Sequence, residues 1–204
     1  NKESIICGWN LIKKIALKNN TKIIPIDSEH FSIFKLLENH KQSEIKKIYI
    51  TASGGPFLNY KTNQFSTIKP KDALKHPKWK MGKKISVDSA TLMNKVLEVT
   101  EALKLFSFNL QKYEIIIHPD SLIHAIVKLK NGTSMYLHHE PDMKIPIANA
   151  LLNDFNYKNF FQKKKQVFDQ IENLNFRKVD KKRFPSVNLI TAMNSRKSSA
   201  IIIN

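Results

Sequence analysis

ISVDSATLMNKVLEVTEALKLF, residues 85–106, is the stretch whose reading decides the fold. Ile85 to Val87 predicts a brief strand, and Asp88 to Phe106 predicts the clearest helix of the chain, with Asp88 or Ser89 able to cap its N-terminus. Leu92, Val96, Val99, Leu103 and Phe106 recur at helical spacing and form one apolar stripe. Thr91, Asn94, Lys95 and Glu98, at i, i+3, i+4 and i+7, share a second face. That face reads either as a solvated surface with a Lys95–Glu98 pair or as one wall of a site. A strand running directly into a helix favours the site, because it sets Ser89 and the first helical turns at a sheet's carboxyl edge, where α/β folds bind ligands.

Upstream, Thr21 to Ile26 is a short β-branched run ending at Asp27 and reads as a buried strand, followed by helical spacing from His30 to Glu38. Ile45 to Thr51 predicts a second strand, closed at once by Ser53-Gly54-Gly55-Pro56. Tyr60 to Lys84 has little periodicity and predicts a long loop with a short helix, a segment of the kind that serves as a lid or binding loop. Downstream the character changes. Ile115 to Ile117, Leu122 to Lys130 and Thr133 to His138 read as strands, with Asn131-Gly132 a strong hairpin signal. Met143 to Leu152 reads as a helix, Asn153 to Arg183 as a connector, and Phe184 to Asn194 as the start of another helix. The fold class is therefore α/β passing to α+β, with a mostly antiparallel sheet after the α/β part.

Composition bounds the function. Aromatic residues at 9% and hydrophobic residues at 42% describe a folded globular chain. The single cysteine, Cys7, excludes an internal disulfide. A net charge of +17 would suit a polyanion, but the lysines are scattered among Asn and Ile, and the run Lys163-Lys164-Lys165 has no interleaved aromatics for base stacking. Nucleic acid is not expected as a partner. No apolar run is long enough to span a bilayer, so no membrane role is expected either.

Asp27-Ser28-Glu29-His30 offers two carboxylates in a loop past an apolar run. With Glu98 they make three hard oxygen ligands suited to Mg²⁺ or Mn²⁺; an acidic cap on the next helix is the competing reading. The Gly54-Gly55 turn lets backbone N–H groups approach an anion, as any tight turn also could. Trp79 and Met81 stand in a polar loop and want apolar cover, from a closing lid or from the core. His118 and His124 flank Ser121 near the hairpin sheet.

Taken together, NKES at the start, PIDSEH, TASGGPF, ALKHPKWKMGKKISVDSATLMNKVLEVTEA, IIIHPDSLIHAIV and EPDMKIPIANAL closely resemble the 1-deoxy-D-xylulose-5-phosphate reductoisomerase family, with a weaker likeness through FPSVNLITA. The resemblance implies NADPH-dependent conversion of 1-deoxy-D-xylulose 5-phosphate to 2-C-methyl-D-erythritol 4-phosphate for isoprenoid synthesis, a carbon–carbon cleavage and rejoining followed by hydride reduction. It implies Asp27, Glu29 and Glu98 as ligands of Mg²⁺ or Mn²⁺. Lys2, Ser28, Glu29, Ser53, His76, Ser89, Asn94, Lys95 and Glu98 would hold the phosphosugar, and Lys2, Glu29, Glu98 and His76 would be catalytic. Asn1, Glu3 and Gly82 would lie against NADPH. Trp79 and Met81 would belong to the lid, with Ser121 and His124 supporting the pocket.

The same resemblance divides the chain into 1–52, the remainder of a Rossmann-like dinucleotide-binding domain, 53–160, a catalytic and dimerisation domain, and 161–204, a connector and the start of a C-terminal helical domain. A homodimer is implied, in the cytoplasm of a bacterium or the plastid of a eukaryote. The family's Gly-rich dinucleotide loop is expected upstream of Asn1, so this stretch alone should bind NADPH poorly and be inactive. Asp120, His138-His139 and Leu152-Asn153-Asp154 depart from the family pattern without removing an implied ligand. Two other readings remain at this stage: a metal-dependent sugar-phosphate isomerase or aldolase that never uses NADPH, and a basic binding module.

Overall fold

The computed structural model describes residues 2–79, 81–151 and 174–192. At its centre lies β1 (Ile45–Ala52), whose Ile45, Ile48 and Ile50 are wholly buried. It runs parallel to β2 (Tyr113–Ile117) on one side and antiparallel to β3 (Ile123–Leu129) on the other. β4 (Ser134–His138) adds antiparallel to β3, and the short β5 (Arg177–Lys178) antiparallel to β2, giving the order β4-β3-β1-β2-β5. The Asn131-Gly132 hairpin forms as expected, with Gly132 at φ +97 and the Asn131 side chain accepting from the Thr133 amide at 3.0 Å. β1 belongs to the expected first division, 1–52, yet pairs on both edges with strands of the second, so one sheet crosses that boundary.

The helices are α1 (Lys2–Lys18), α2 (Ser28–Leu37), α3 (Pro70–Ala73), α4 (Lys83–Ala90), α5 (Met93–Phe106), α6 (Lys144–Leu151) and α7 (Leu189–Ala192). α2 packs on β3 and β4, while α5 lies between β1 and α1. The apolar stripe of α5 enters the core with Ile33, Ile117 and Val127, and the Tyr113 hydroxyl ties the helix to β2 by donating to Ala102 O at 3.0 Å. Among the described residues no helix is long and apolar enough to cross a membrane.

Three expectations need correction. Ile85 to Val87 is not a strand but the middle of α4, and β1 pairs instead with β2 and β3. Nor is Asp88 to Phe106 one helix. Leu92 adopts a left-handed conformation (φ 60, ψ 11) that separates α4 from α5, so neither Asp88 nor Ser89 caps α5. Such a conformation costs an L residue about 1–2 kcal/mol. Leu92 is 1% exposed within the core, and burying a leucine contributes about 1.5–3 kcal/mol, enough to hold the break. Thr21 to Ile26 is likewise no strand; it crosses from α1 to α2 unpaired, with Ile24 and Ile26 exposed.

The long loop after β1 is braced from far along the chain. The Arg183 guanidinium donates to Phe57 O at 3.2 Å and to Tyr60 O, and lies over the Phe65 ring. The expected helix from Phe184 begins as a 3-10 turn, Pro185–Asn188, before α7; Met193 and Asn194 lie outside the described residues, as do 153–173 of the expected connector.

Candidate functional site

β1 and β2 are parallel, so the loops after Ala52 and Ile117 leave the sheet at the same end, and His118 N donates to Ala52 O at 2.8 Å to hold them together. Outside these carboxyl ends lies a cavity of about 290 Å³. The first turn of α2 brings Asp27, Ser28 and Glu29 to it; α5 brings Asn94, Lys95 and Glu98; and Ser89 comes from the end of α4. Ser53, His76, Trp79 and Met81 line it from the loop after β1, and Ser121 and His124 from the turn into β3. Thr91 is the member of the predicted α5 face that stays outside, exposed and donating to Val87 O and Asp88 O.

The geometry of Asp27 is compatible with both readings of its sequence. Its side chain caps α2 by accepting from the Glu29 amide at 3.3 Å, and it faces Glu29 and Glu98, ligand atoms of all three lying within 4.8 Å of one another. Glu98 is 1% exposed, and burial together with the like charge of Glu29 pushes its carboxyl up to about 8. Burial pushes Glu29 the same way, but the Lys95 ammonium and His124 outweigh it and hold Glu29 at about 2. Lys95 Nζ donates to Glu29 and, at 2.8 Å, to Glu98 Oε2. Ser28 Oγ donates to Glu29 Oε2 at 2.6 Å. Asn94 Nδ2 donates to Glu98 Oε1 at 2.5 Å, leaving the buried Asn94 Oδ1 with no partner among the described residues. Carboxylate oxygens converging on one point, already held by a cation and beside an unused carbonyl acceptor, fit a hard divalent ion such as Mg²⁺ or Mn²⁺.

A second device polarises Ser53. His76 Nδ1 accepts from the amides of Trp79 (2.8 Å) and Lys78 (3.2 Å), so the ring proton sits on Nε2 and donates to Ser53 Oγ at 3.0 Å. Burial and the nearby Lys95 lower His76 to about 4, which keeps the ring neutral. Ser53 Oγ also accepts from Gly55 N at 3.2 Å, so its own hydroxyl proton is left to donate into the cavity. Gly55 also serves the packing of the loop. It sits at φ +64, and a Cβ there would meet Ser89 O at 2.8 Å; the glycine lets the loop press against α4 and brings Ser53 beside Ser89.

Trp79 lies half-buried with its ring edge-on to His124, centroids 6.2 Å apart. Beside this cavity lies a second of about 650 Å³, sharing Asp27, Ile85, Asn94 and Met143 with the first. Lys2, Glu3 and Gly82 line it, among isoleucines of α1 and of the 21–26 crossing. Asn1 lies outside the described residues. The sequence reading missed His30 and Glu101, both buried and lining the second cavity beside Asp27. Their signal was available: Glu101 follows Glu98 at i+3 on α5, and His30 follows Asp27 at i+3.

Such an α/β chain sets a buried acid–lysine cluster at the carboxyl ends of parallel strands, an arrangement with the chemistry to take a cation and an anion side by side. Family models place it more closely: residues 23–106 match the 1-deoxy-D-xylulose 5-phosphate reductoisomerase C-terminal domain, and residues 139–204 match the DXP reductoisomerase C-terminal domain. The chain is 52% identical over 198 residues to the 1-deoxy-D-xylulose 5-phosphate reductoisomerase of Pelagibacter ubique, covering 97% of this chain and 50% of that protein. It is 57% identical over 151 residues to that of Treponema denticola, covering 74% and 40%. The Zymomonas mobilis reductoisomerase solved in complex with NADPH aligns at a TM-score of 0.80 and 34% identity, covering 96% of this chain and 51% of that one. A reductoisomerase solved with fosmidomycin and magnesium aligns at 0.84 and 34% identity, covering 99% and 51%. The chain belongs to the 1-deoxy-D-xylulose 5-phosphate reductoisomerase family, and it spans about half the length of the curated relatives it matches.

Proposed function

We propose that the intact protein converts 1-deoxy-D-xylulose 5-phosphate to 2-C-methyl-D-erythritol 4-phosphate with NADPH and a divalent metal. The observation that carries this reading is the convergence of Asp27, Glu29 and Glu98, from two separate stretches of chain, on the cavity that also receives Ser53, Ser89, Asn94 and Lys95. Relatives solved with magnesium, fosmidomycin and NADPH support it.

Asp27, Glu29 and Glu98 would hold Mg²⁺ or Mn²⁺, which when bound would polarise neighbouring substrate oxygens and stabilise negative charge developing on them. The Ser53 hydroxyl, with its proton turned into the cavity by His76, donates to a phosphate oxygen. Ser89, Asn94 and Lys95 stand around the same end, and Ser28 orients Glu29. Lys2 is pushed up rather than down: burial opposes its charge, but Asp27, Glu98 and Glu101 outweigh it. It stays an ammonium at neutral pH and acts as a fixed donor, never as a base. Trp79 and Met81 cover the cavity and exclude water while the two fragments recombine, and Ser121 and His124 support the floor.

Asn1, Glu3 and Gly82 would face NADPH, the source of the hydride, along the second cavity. We read 1–52 as the edge of a dinucleotide-binding domain that gives β1 to the sheet of 53–160, the catalytic and dimerisation part, and 161–204 as the lead into a C-terminal domain, in a homodimer of the bacterial cytoplasm. The test is turnover by the intact protein: phosphosugar-dependent NADPH oxidation that requires Mg²⁺ or Mn²⁺. Glu98→Gln lowers it about 10²–10³-fold while cooperative unfolding is kept. Near-normal oxidation by that variant defeats the metal assignment, and turnover without oxidation favours a simple isomerase.

A further inference from the structure

Glu101 has no part in the chemistry proposed for the first cavity, yet it is one of the most buried charged groups described, 2% exposed. It lies one helical turn beyond Glu98 and accepts from Lys2 Nζ at 2.5 Å, tying the first turn of α1 to α5. The same ammonium lies 3.4 Å from Asp27 Oδ2. The other oxygen of that carboxylate, Oδ1, is engaged: it accepts from the Glu29 amide at 3.3 Å and lies 3.3 Å from His30 Nδ1. His30 is itself fixed, its Nε2 donating to Glu98 O at 2.8 Å. Asp27 Oδ2 therefore takes the longer arm of a shared ion pair, 3.4 Å from the Lys2 ammonium against 2.5 Å for Glu101, whose Oε2 also lies 3.9 Å from His30 Nδ1. Ligand atoms of Asp27, His30 and Glu101 also lie within 4.8 Å of one another, but the Lys2 ammonium already stands in that group.

We infer that Glu101 is a positioning residue: its carboxylate holds the Lys2 ammonium off Asp27, leaving Asp27 available with Glu29 and Glu98 to a divalent cation. The proposal rests on the metal reading of that triad. With Glu101 neutral, Asp27 is the remaining carboxylate within reach of Lys2 Nζ. The ammonium then closes on Oδ2, taking one ligand out of the set and setting a positive charge against an incoming dication. One residue thereby serves both cavities, fixing Lys2 at their boundary and keeping the acid triad open.

Mn²⁺ binding to the intact protein, followed by paramagnetic resonance of the free ion and by calorimetry without substrate or nicotinamide, tests this. Glu101→Gln weakens Mn²⁺ binding about 10- to 100-fold. Adding Lys2→Met to that variant removes the competing ammonium and restores the wild-type affinity. A purely structural role for Glu101 would leave the double variant as weak as the single one, and that result overturns the proposal, as does a Glu101→Gln protein that binds like wild type. Should Glu101→Gln fail to fold, the double variant, in which both partners are uncharged, decides alone: wild-type affinity supports the inference and weakened binding overturns it. A wild-type protein that binds no Mn²⁺ defeats the metal reading itself, and this inference with it.

Discussion

The two cavities are built by different means. The first is walled by side chains from widely separated stretches, and its floor is a charge cluster in which most polar atoms answer to another: Lys95 to Glu29 and Glu98, Ser28 to Glu29, His76 to Ser53. The second is larger and mostly apolar, walled by isoleucines of α1 and of an unpaired crossing, with charged groups from α1, α4 and α5 among them. The first is thus preorganised by mutual hydrogen bonding, so that small displacements leave buried charges unpaired. The second offers shape and apolar cover, and tolerates single changes better.

Gly55→Ala should break the first cavity most severely. A Cβ 2.8 Å from Ser89 O on a backbone at φ +64 must displace the loop or α4, at a cost of about 2–4 kcal/mol readable in chemical denaturation, with phosphosugar binding lost in parallel. Trp79→Ala acts on the cover and not the frame. Turnover should fall about tenfold with the melting temperature little changed; a large melting loss would make Trp79 a core anchor. Glu3→Gln should touch the second cavity alone, raising the half-saturating NADPH concentration about twofold and leaving that for the phosphosugar unchanged.

The subtlest change concerns His139, stacked on His124 with ring centroids 4.0 Å apart. Burial, then the neighbouring His124, lowers His139 from 6.5 to about 4. Between those values the unfolded chain takes up a proton that the folded chain refuses, so the contribution of His139 to stability is present above pH about 6.5 and lost as pH falls toward about 4. His139→Phe should flatten that acid limb of the stability profile. An unchanged limb would place the sensitivity elsewhere.

Much of the first cavity was legible, because its residues sit in local patterns: a capping acid followed by a second acid two positions on, and a polar face at i, i+1 and i+4 on α5. What could not be read was how those patterns meet. Nothing in Thr91-Leu92-Met93 signals a helix break, since neither Gly nor Pro is present; tertiary burial of Leu92 forces it. Thr21 to Ile26 and Ile85 to Val87 carry β-branched residues, but a strand needs a paired neighbour, and pairing is a property of the assembled sheet. Glu101 and His30 escaped notice for the same kind of reason. Each looks like an ordinary charge beside a recognised motif, its i+3 spacing notwithstanding, until folding sets His30 Nδ1 3.9 Å from Glu101 and α1 adds Lys2 to Glu101.

Arg183 has a consequence for the order in which the molecule takes shape. It grips Phe57 and Tyr60 across 126 and 123 positions of sequence, and Ser186 donates to Thr91 in the same region. Closing so long a span comes late, after the local helices and the hairpin. During synthesis the turn at Phe57 and Tyr60 therefore waits for its Arg183 brace on residues made more than a hundred positions later.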